Sequence, residues 1–211
     1  MDEQPDEATG DPVLIDVPES LLGPRVVLRA LYPGDGKALW EAIEESRAQL
    51  QEWQTWQHWY RSRTHAELAV HRARLAFLDR KRLYYGAWHR QEGGFLGWAG
   101  LEDIRWRAPS FQVGYWLRPS ATGQGLMTEA VQSLCRMAVE TLGAKRLALL
   151  VDPLNRRSVA LARRLDFVEE GVLRNERLNA AGRLQDTMVF ALTPETYRRT
   201  RWFAGGGNAG V

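Results

Sequence analysis

The stretch Gly114–Thr128, Gly-Tyr-Trp-Leu-Arg-Pro-Ser-Ala-Thr-Gly-Gln-Gly-Leu-Met-Thr, decides how the rest of the chain is read. Residues up to Leu117 alternate as a strand does, Pro119 interrupts the ladder, and Gly123-Gln124-Gly125 opens a helix. In that helix Leu126, Ala130, Leu134, Ala138 and Leu142 recur every fourth residue, on one apolar face, until Gly143 ends it. The glycines let a ligand approach the backbone closely. The amides at the helix start converge with the dipole behind them, a setting suited to the pyrophosphate of a nucleotide cofactor. A Gly-x-Gly alone is weak, because loops before helices also carry glycine for steric reasons. Two common phosphate motifs do not fit: no Gly-Lys-Ser/Thr follows, and the third glycine of a dinucleotide fingerprint is missing.

Upstream, Val26–Leu31 reads as a strand stopped by Pro33-Gly34. Asp35 is a plausible N-cap for a helix bearing Leu39, Trp40 and Ile43, and Thr64-His65-Ala66-Glu67 has the form of a capping box opening a second helix. Leu83–His89, Phe95–Leu101 and Phe111–Leu117 then form an antiparallel meander. Downstream, Leu147–Val151 is apolar throughout, as a strand buried on both faces would be. A helix over Arg156–Leu165 and strands near Phe167–Leu178 and Gln185–Leu192 complete the order β-α-α-β-β-β-α-β-α-β-β. That order is a mixed sheet with helices on its faces, α/β or α+β by class.

With 211 residues and 45% hydrophobic side chains, the chain suits a single domain that can bury a core and still hold a cleft. Residues 1–11, acidic and polar, read as a flexible leader, 12–203 as the domain, and the glycine-rich 204–211 as a tail. The 28 basic and 26 acidic residues are interspersed for a net charge of +2, which argues against nucleic acid as a partner. No apolar run approaches the roughly 18 residues that span a bilayer. The lone Cys135 and the lack of metal-ligand spacing suit a reducing cytoplasm and no metal.

A strand, a short loop carrying Gly123-Gln124-Gly125, and a helix resemble the cofactor motif of the GCN5-related N-acetyltransferases (GNAT), and the element order agrees from about Arg25 to Leu192. The ribosomal-protein N-terminal acetyltransferase branch is the nearest in its habits. They stand here as Arg25-Val26-Val27-Leu28-Arg29, Gly114-Tyr115-Trp116-Leu117, Gly125-Leu126-Met127-Thr128-Glu129-Ala130 and Asn155-x-x-Ser158. The resemblance implies a sheet of about seven strands with about four helices, and two parallel strands that splay apart around the pantetheine arm of acetyl-CoA. It also implies a homodimer. Leu117 would pair with that arm. Gly123, Gln124, Gly125, Leu126, Met127 and Thr128 would cradle the pyrophosphate, and Asn155 would touch the cofactor besides capping its helix. One departure is plain: Ser120 stands where the motif has Gln or Arg, so that side-chain contact is lost while the backbone donors remain.

Acyl transfer to an amine needs a path for the amine proton and a proton for the departing thiolate. An α-amino group has a pKa of about 8, so a modest base, or water, suffices and no histidine is required. The resemblance assigns the acid to Ser158, since the tyrosine that other members carry is absent from Leu161-Ala162-Arg163-Arg164-Leu165-Asp166-Phe167. It assigns the base to Glu176 in Glu176-Arg177-Leu178-Asn179, with Glu102 and Asp103 as substitutes. Trp53, Trp56 and Trp59 would wall the acceptor cleft, although helical packing alone generates such spacing. The implied reaction is acetyl transfer from acetyl-CoA to a primary amine, foremost a protein N-terminus, by direct attack in a ternary complex. A small-amine acetyltransferase (polyamine, aminoglycoside or amino acid) and a non-catalytic CoA sensor are the alternatives.

Overall fold

Short strands rich in aromatic and β-branched residues, punctuated by Gly-containing turns, pair with their sequence neighbours at little loop-closure cost. The computed structural model, which describes residues 11–53, 60–179 and 182–203, shows that pattern in its first half. Strands β1 (Ser20–Leu22), β2 (Val26–Ala30), β3 (Leu83–His89), β4 (Phe95–Arg105) and β5 (Ser110–Leu117) form an antiparallel run. Two helices, α1 (Gly36–Trp53) and α2 (Arg63–Leu78), interrupt it between β2 and β3. Helix α3 (Leu126–Glu140) then carries the chain to β6 (Arg146–Val151), which lies parallel to β5. After α4 (Arg156–Arg164) come β7 (Val168–Leu178), β8 (Leu184–Leu192) and the short α5 (Pro194–Arg198). The sheet order is β1-β2-β3-β4-β5-β6-β8-β7.

The expected mixed α/β architecture is present, with eight strands rather than seven and five α-helices rather than four among the described residues. β1 and α5 went unread because three and five residues are too few for a period to show. One core lies under α3, where Leu126, Ala130, Leu134 and Ala138 are all buried against the sheet with Phe111, Leu147 and Phe190. A second, built from Leu39, Ile43, Val70, Phe95 and Trp116, lies under α1 and α2 on the opposite face. No helix among the described residues is long and apolar enough to cross a membrane.

Three local readings are corrected. Thr64 does not cap α2. Ser62 does, accepting from the His65 amide, while Glu67 reaches back to accept from the amides of Gly34 (2.6 Å) and Gly36 (3.0 Å) at the start of α1. Asp35 keeps the N-cap place through its carbonyl, which accepts from Leu39, but its carboxylate binds Arg29 and the Tyr32 amide instead of the helix. And β6 is not buried on both faces: Leu147, Leu149 and Val151 are buried, whereas Ala148 and Leu150 are half-buried. The exposed side of β6 turns toward a cleft.

Candidate active site

Parallel strands pair as long as their directions agree, and β5 and β6 stop agreeing after three rungs. Ser110, Phe111 and Gln112 pair with Arg146, Leu147 and Ala148, and no rung follows, although β5 runs on to Leu117 and β6 to Val151. Each strand stays paired on its other side, Leu117 with Gly97 and Val151 with Met188. Two edges with free backbone donors and acceptors therefore face each other across a wedge, a slot that an extended amide-bearing chain can fill. The wedge opens into a cleft of about 720 Å³, lined among others by Val113, Gly114 and Tyr115 of β5 and Leu149, Leu150 and Val151 of β6. Leu117 sits at the end of the free β5 edge, outside the lining of that cleft.

At the same end of β5 the loop turns into α3. Gly123 and Gly125 have φ of 78° and 79°, left-handed conformations that glycine adopts without strain, and Gly125 is the N-cap. The first donor to close a helical turn is Glu129, to the Gly125 carbonyl, so the amides of Leu126, Met127 and Thr128 have no partner within the helix. The Leu126 and Met127 side chains are buried, which anchors this amide cluster to the core. Glu129 is the one acid in the first turn, and an anion there would compete with a phosphate. Its carboxylate is engaged elsewhere, by the Arg25 and Val26 amides and the Arg25 guanidinium, which also donates to the Gln124 carbonyl.

Ser120 is used internally. Its amide donates to Glu45 of α1, Glu45 also accepts from Arg118 at 2.6 Å, and Gln124 donates to the Ser120 carbonyl. Burial pulls the Glu45 carboxyl upward, but Arg118 and Ser120 together outweigh it and hold it below its ordinary range. The loop entry is thereby clamped to α1. Arg164, in the last turn of α4, brings its guanidinium within 3.5 Å of the Thr128 hydroxyl and so adds positive charge at the start of α3. In the sequence Arg25 reads only as part of a strand motif and Arg164 only as part of a helix end, and only the fold brings them to the amides.

Inside the cleft, Asn155 caps α4 by accepting from the Ser158 amide at 3.1 Å, and both residues line the cavity. Ser158 adjoins the buried Tyr115 phenol, which closes no hydrogen bond of standard geometry among the described residues; burial pushes it up to about 12, and the serine offsets that only in part. Glu176 enters from β7, where the register against β8 slips between Leu173 and Arg177 and Asn175 takes a φ of 50°. Asp186 satisfies the bulge, accepting from the Asn175 amide and from Arg174. Such a bulge re-aims a side chain, and Glu176 lines the cleft with its carboxylate accepting from the Thr187 hydroxyl at 2.9 Å.

Two further lining residues escaped the sequence reading. Asp152, just past β6 and 4% exposed, accepts from the Leu154 amide and forms an ion pair with Arg177 at 3.6 Å. The two substitute bases separate. Glu102 lines the cleft, while Asp103, with a φ of 45°, is exposed and pairs with Arg105. His65 also lines the cleft; His71 and His89 do not, and His58 lies outside the described residues. Trp53 ends α1, its side chain outside the described set, as are Trp56 and Trp59 entirely. Of the meander tryptophans Trp98 lines the cleft, Trp116 is buried, and Trp106 packs on Phe111.

Residues 25–168 match the Acetyltransferase (GNAT) domain. The protein YdaF of Bacillus subtilis (strain 168), named as a candidate ribosomal N-acetyltransferase, is 26% identical over 168 residues, 79% of this chain and 90% of that one. The ribosomal protein uS5-alanine N-acetyltransferase of Escherichia coli (strain K12) is 27% identical over 175 residues, 80% of this chain and 88% of the relative. Among solved structures, RimL, a ribosomal L7/L12 α-N-protein acetyltransferase in complex with coenzyme A, superposes with a TM-score of 0.79 at 22% identity, covering 84% of this chain and 99% of that one. Because the matched span takes in the split strands, the glycine turn and the start of α4 together, the chain belongs to the GNAT family of acetyltransferases, enzymes whose acyl donor is acetyl-CoA.

Proposed function

We propose that this enzyme transfers the acetyl group of acetyl-CoA to a primary amine, foremost the α-amino group of a protein N-terminus, by direct attack while both substrates are bound. The observation that carries this reading is the meeting of two devices in one cleft. A slot between β5 and β6 ends near the amides of α3, and Ser158 and Glu176 enter the cavity from different elements. The residues fit the cofactor. An amide-bearing pantetheine can take the place of the missing rungs along Val113–Leu117, with Leu117 as its last partner. The amides from Gly123 through Gln124 and Gly125 to Leu126, Met127 and Thr128 suit a pyrophosphate, with Arg25 and Arg164 supplying the side-chain charge that Ser120 does not. The protein-N-terminus acceptor draws support from the names of the ribosomal-protein acetyltransferases that the chain resembles.

When bound, acetyl-CoA supplies the activated acetyl group; the chain supplies the proton traffic. Glu176, held by Thr187, takes a proton from the acceptor nitrogen as the nitrogen–carbon bond forms, directly or through one water. Ser158 gives its proton to the sulfur as the carbon–sulfur bond breaks. Tyr115 stays protonated at neutral pH and can donate to the Ser158 oxygen, limiting the charge left on it. Asn155 keeps Ser158 in place through the cap.

The test is a pair of substitutions read by steady-state kinetics. Ser158→Ala should lower kcat by about 10²-fold or more and leave the KM for acetyl-CoA within a factor of two. Glu176→Gln should lower kcat similarly, again with little change in the KM for acetyl-CoA. Full turnover in Ser158→Ala would take the serine out of the reaction, and full turnover in Glu176→Gln would take out the glutamate.

A further inference from the structure

The acceptor side of the cleft contains a carboxylate that the reaction scheme leaves unused. On one face of the sheet, β4 and β5 set Glu102 opposite Gln112 and Gly100 opposite Gly114, and β3 sets Tyr84 opposite Gly100. Directly opposed residues of antiparallel strands project to the same side, so these five and Trp98 share a face, and all of them except Gly100 line the cleft. Both Glu102 oxygens are held by neutral donors, one by the Tyr84 hydroxyl at 2.6 Å and the other by the Gln112 amide at 3.1 Å. The Tyr84 and Trp98 rings lean on each other with centroids 4.7 Å apart. Position 114 keeps the group accessible, because a Cβ there would come within 3.2 Å of both the Glu102 carboxylate and the Trp98 ring.

What is missing is a cation. A half-buried carboxylate is normally paired with a positive group, since charge in a low-dielectric setting is costly. Among the described residues Glu102 closes no ion pair, although Arg82 lines the same cleft and has no carboxylate partner of its own. Its negative charge is felt by Tyr84, whose phenol is pushed up first by burial and then by Glu102. An anionic oxygen whose hydrogen bonds come only from neutral donors, flanked by two aromatic rings, suits an alkylammonium group: the carboxylate gives a charge-assisted hydrogen bond and the ring faces attract the cation.

We infer that Glu102, walled by Trp98 and Tyr84, is where the acceptor's ammonium group docks before it loses its proton. The inference rests on the acetyl-transfer reading of the cleft and sharpens it: acceptors are selected as cations, and neutral alcohols are passed over. Glu102 is then a substrate-binding residue, distinct from Glu176, which removes the proton.

The probe is propylammonium, with propanol as its uncharged counterpart. Binding is followed by the indole N–H resonance of Trp98, assigned through Trp98→Phe. Propylammonium should shift that resonance and propanol should not. Glu102→Gln should weaken the ammonium response about tenfold or more, and Asp103→Asn, which removes the neighbouring exposed charge outside the cleft, should leave it. Gly114→Ala, which retains the carboxylate but fills the space before it, should weaken the response as well and serves if Glu102→Gln does not fold. In turnover, Glu102→Gln should raise the KM of an amine acceptor about tenfold while the KM for acetyl-CoA stays unchanged. An equal response to propanol, or an ammonium response that survives in Glu102→Gln, would overturn the inference. A Glu102-dependent response in a protein that acetylates no amine would support the docking site and count against acetyl transfer.

Discussion

At the scale of single residues, the glycine turn before α3 depends on conformations that one side chain would spoil. Gly125 holds a φ of 79° at the N-cap of α3, and a bulky residue there adds backbone strain of about 1–3 kcal/mol and places atoms in front of the amides. Gly125→Trp should therefore lose coenzyme A binding by about tenfold or more in calorimetric titration, while circular dichroism stays close to that of the parent; retained affinity would detach this turn from the pyrophosphate. Asn155 was legible in the sequence as an N-cap because caps obey a local rule, whereas Ser158 was singled out by the family resemblance. Glu176 was only half legible. Its identity could be read, but its direction depends on a bulge between Leu173 and Arg177 that strand alternation does not reveal. Glu102 was named as a substitute base, but its contacts with Tyr84 and Gln112, like the pairing of Asp152 with Arg177, were not legible, since each set joins residues from separate elements through contacts that only the sheet creates.

At the scale of elements, the reading of Glu67 shows how a correct motif can mislead. Thr64 and Glu67 have capping-box spacing, yet the carboxylate serves another helix: it takes the Gly34 and Gly36 amides and fixes the start of α1 against α2. Gly36 lies so close to Glu67 that no Cβ could be accommodated there without a shift. Glu67→Ala should cost about 1–2 kcal/mol of stability in urea unfolding, because two amides lose their acceptor, whereas Thr64→Ala should cost under about 0.5 kcal/mol. Equal effects would restore the local box. The longer elements were readable from period alone. The four-residue repeat of α3 became a buried face, and the boundaries of β3 were read as they stand, since a regular apolar pattern must find a core. The apolar run of β6 was read as doubly buried, and here the expectation failed because one face of the strand is turned to a cleft, which leaves Ala148 and Leu150 half-buried.

At the scale of the whole molecule, the fold is a sheet opened along one seam. The two cores lie on opposite faces, and the split between β5 and β6 lies between them, so whatever fills it connects the two halves. Coenzyme A at about 100 times its dissociation constant should stabilise the folded state by about 2.7 kcal/mol. For a chain of this size that raises the melting temperature by about 5–10 °C. An unchanged melting temperature would mean that the seam is not its site. The acetyltransferase class follows from the family, and the direct test of the central claim is thiol release from acetyl-CoA, followed together with product mass, across a panel of N-terminal peptides and small amines. The account predicts turnover-dependent thiol release matched by a single acetyl addition on the amine nitrogen, strongest for a free peptide N-terminus. Tight coenzyme A binding with no acetylated product from any member of the panel would contradict it.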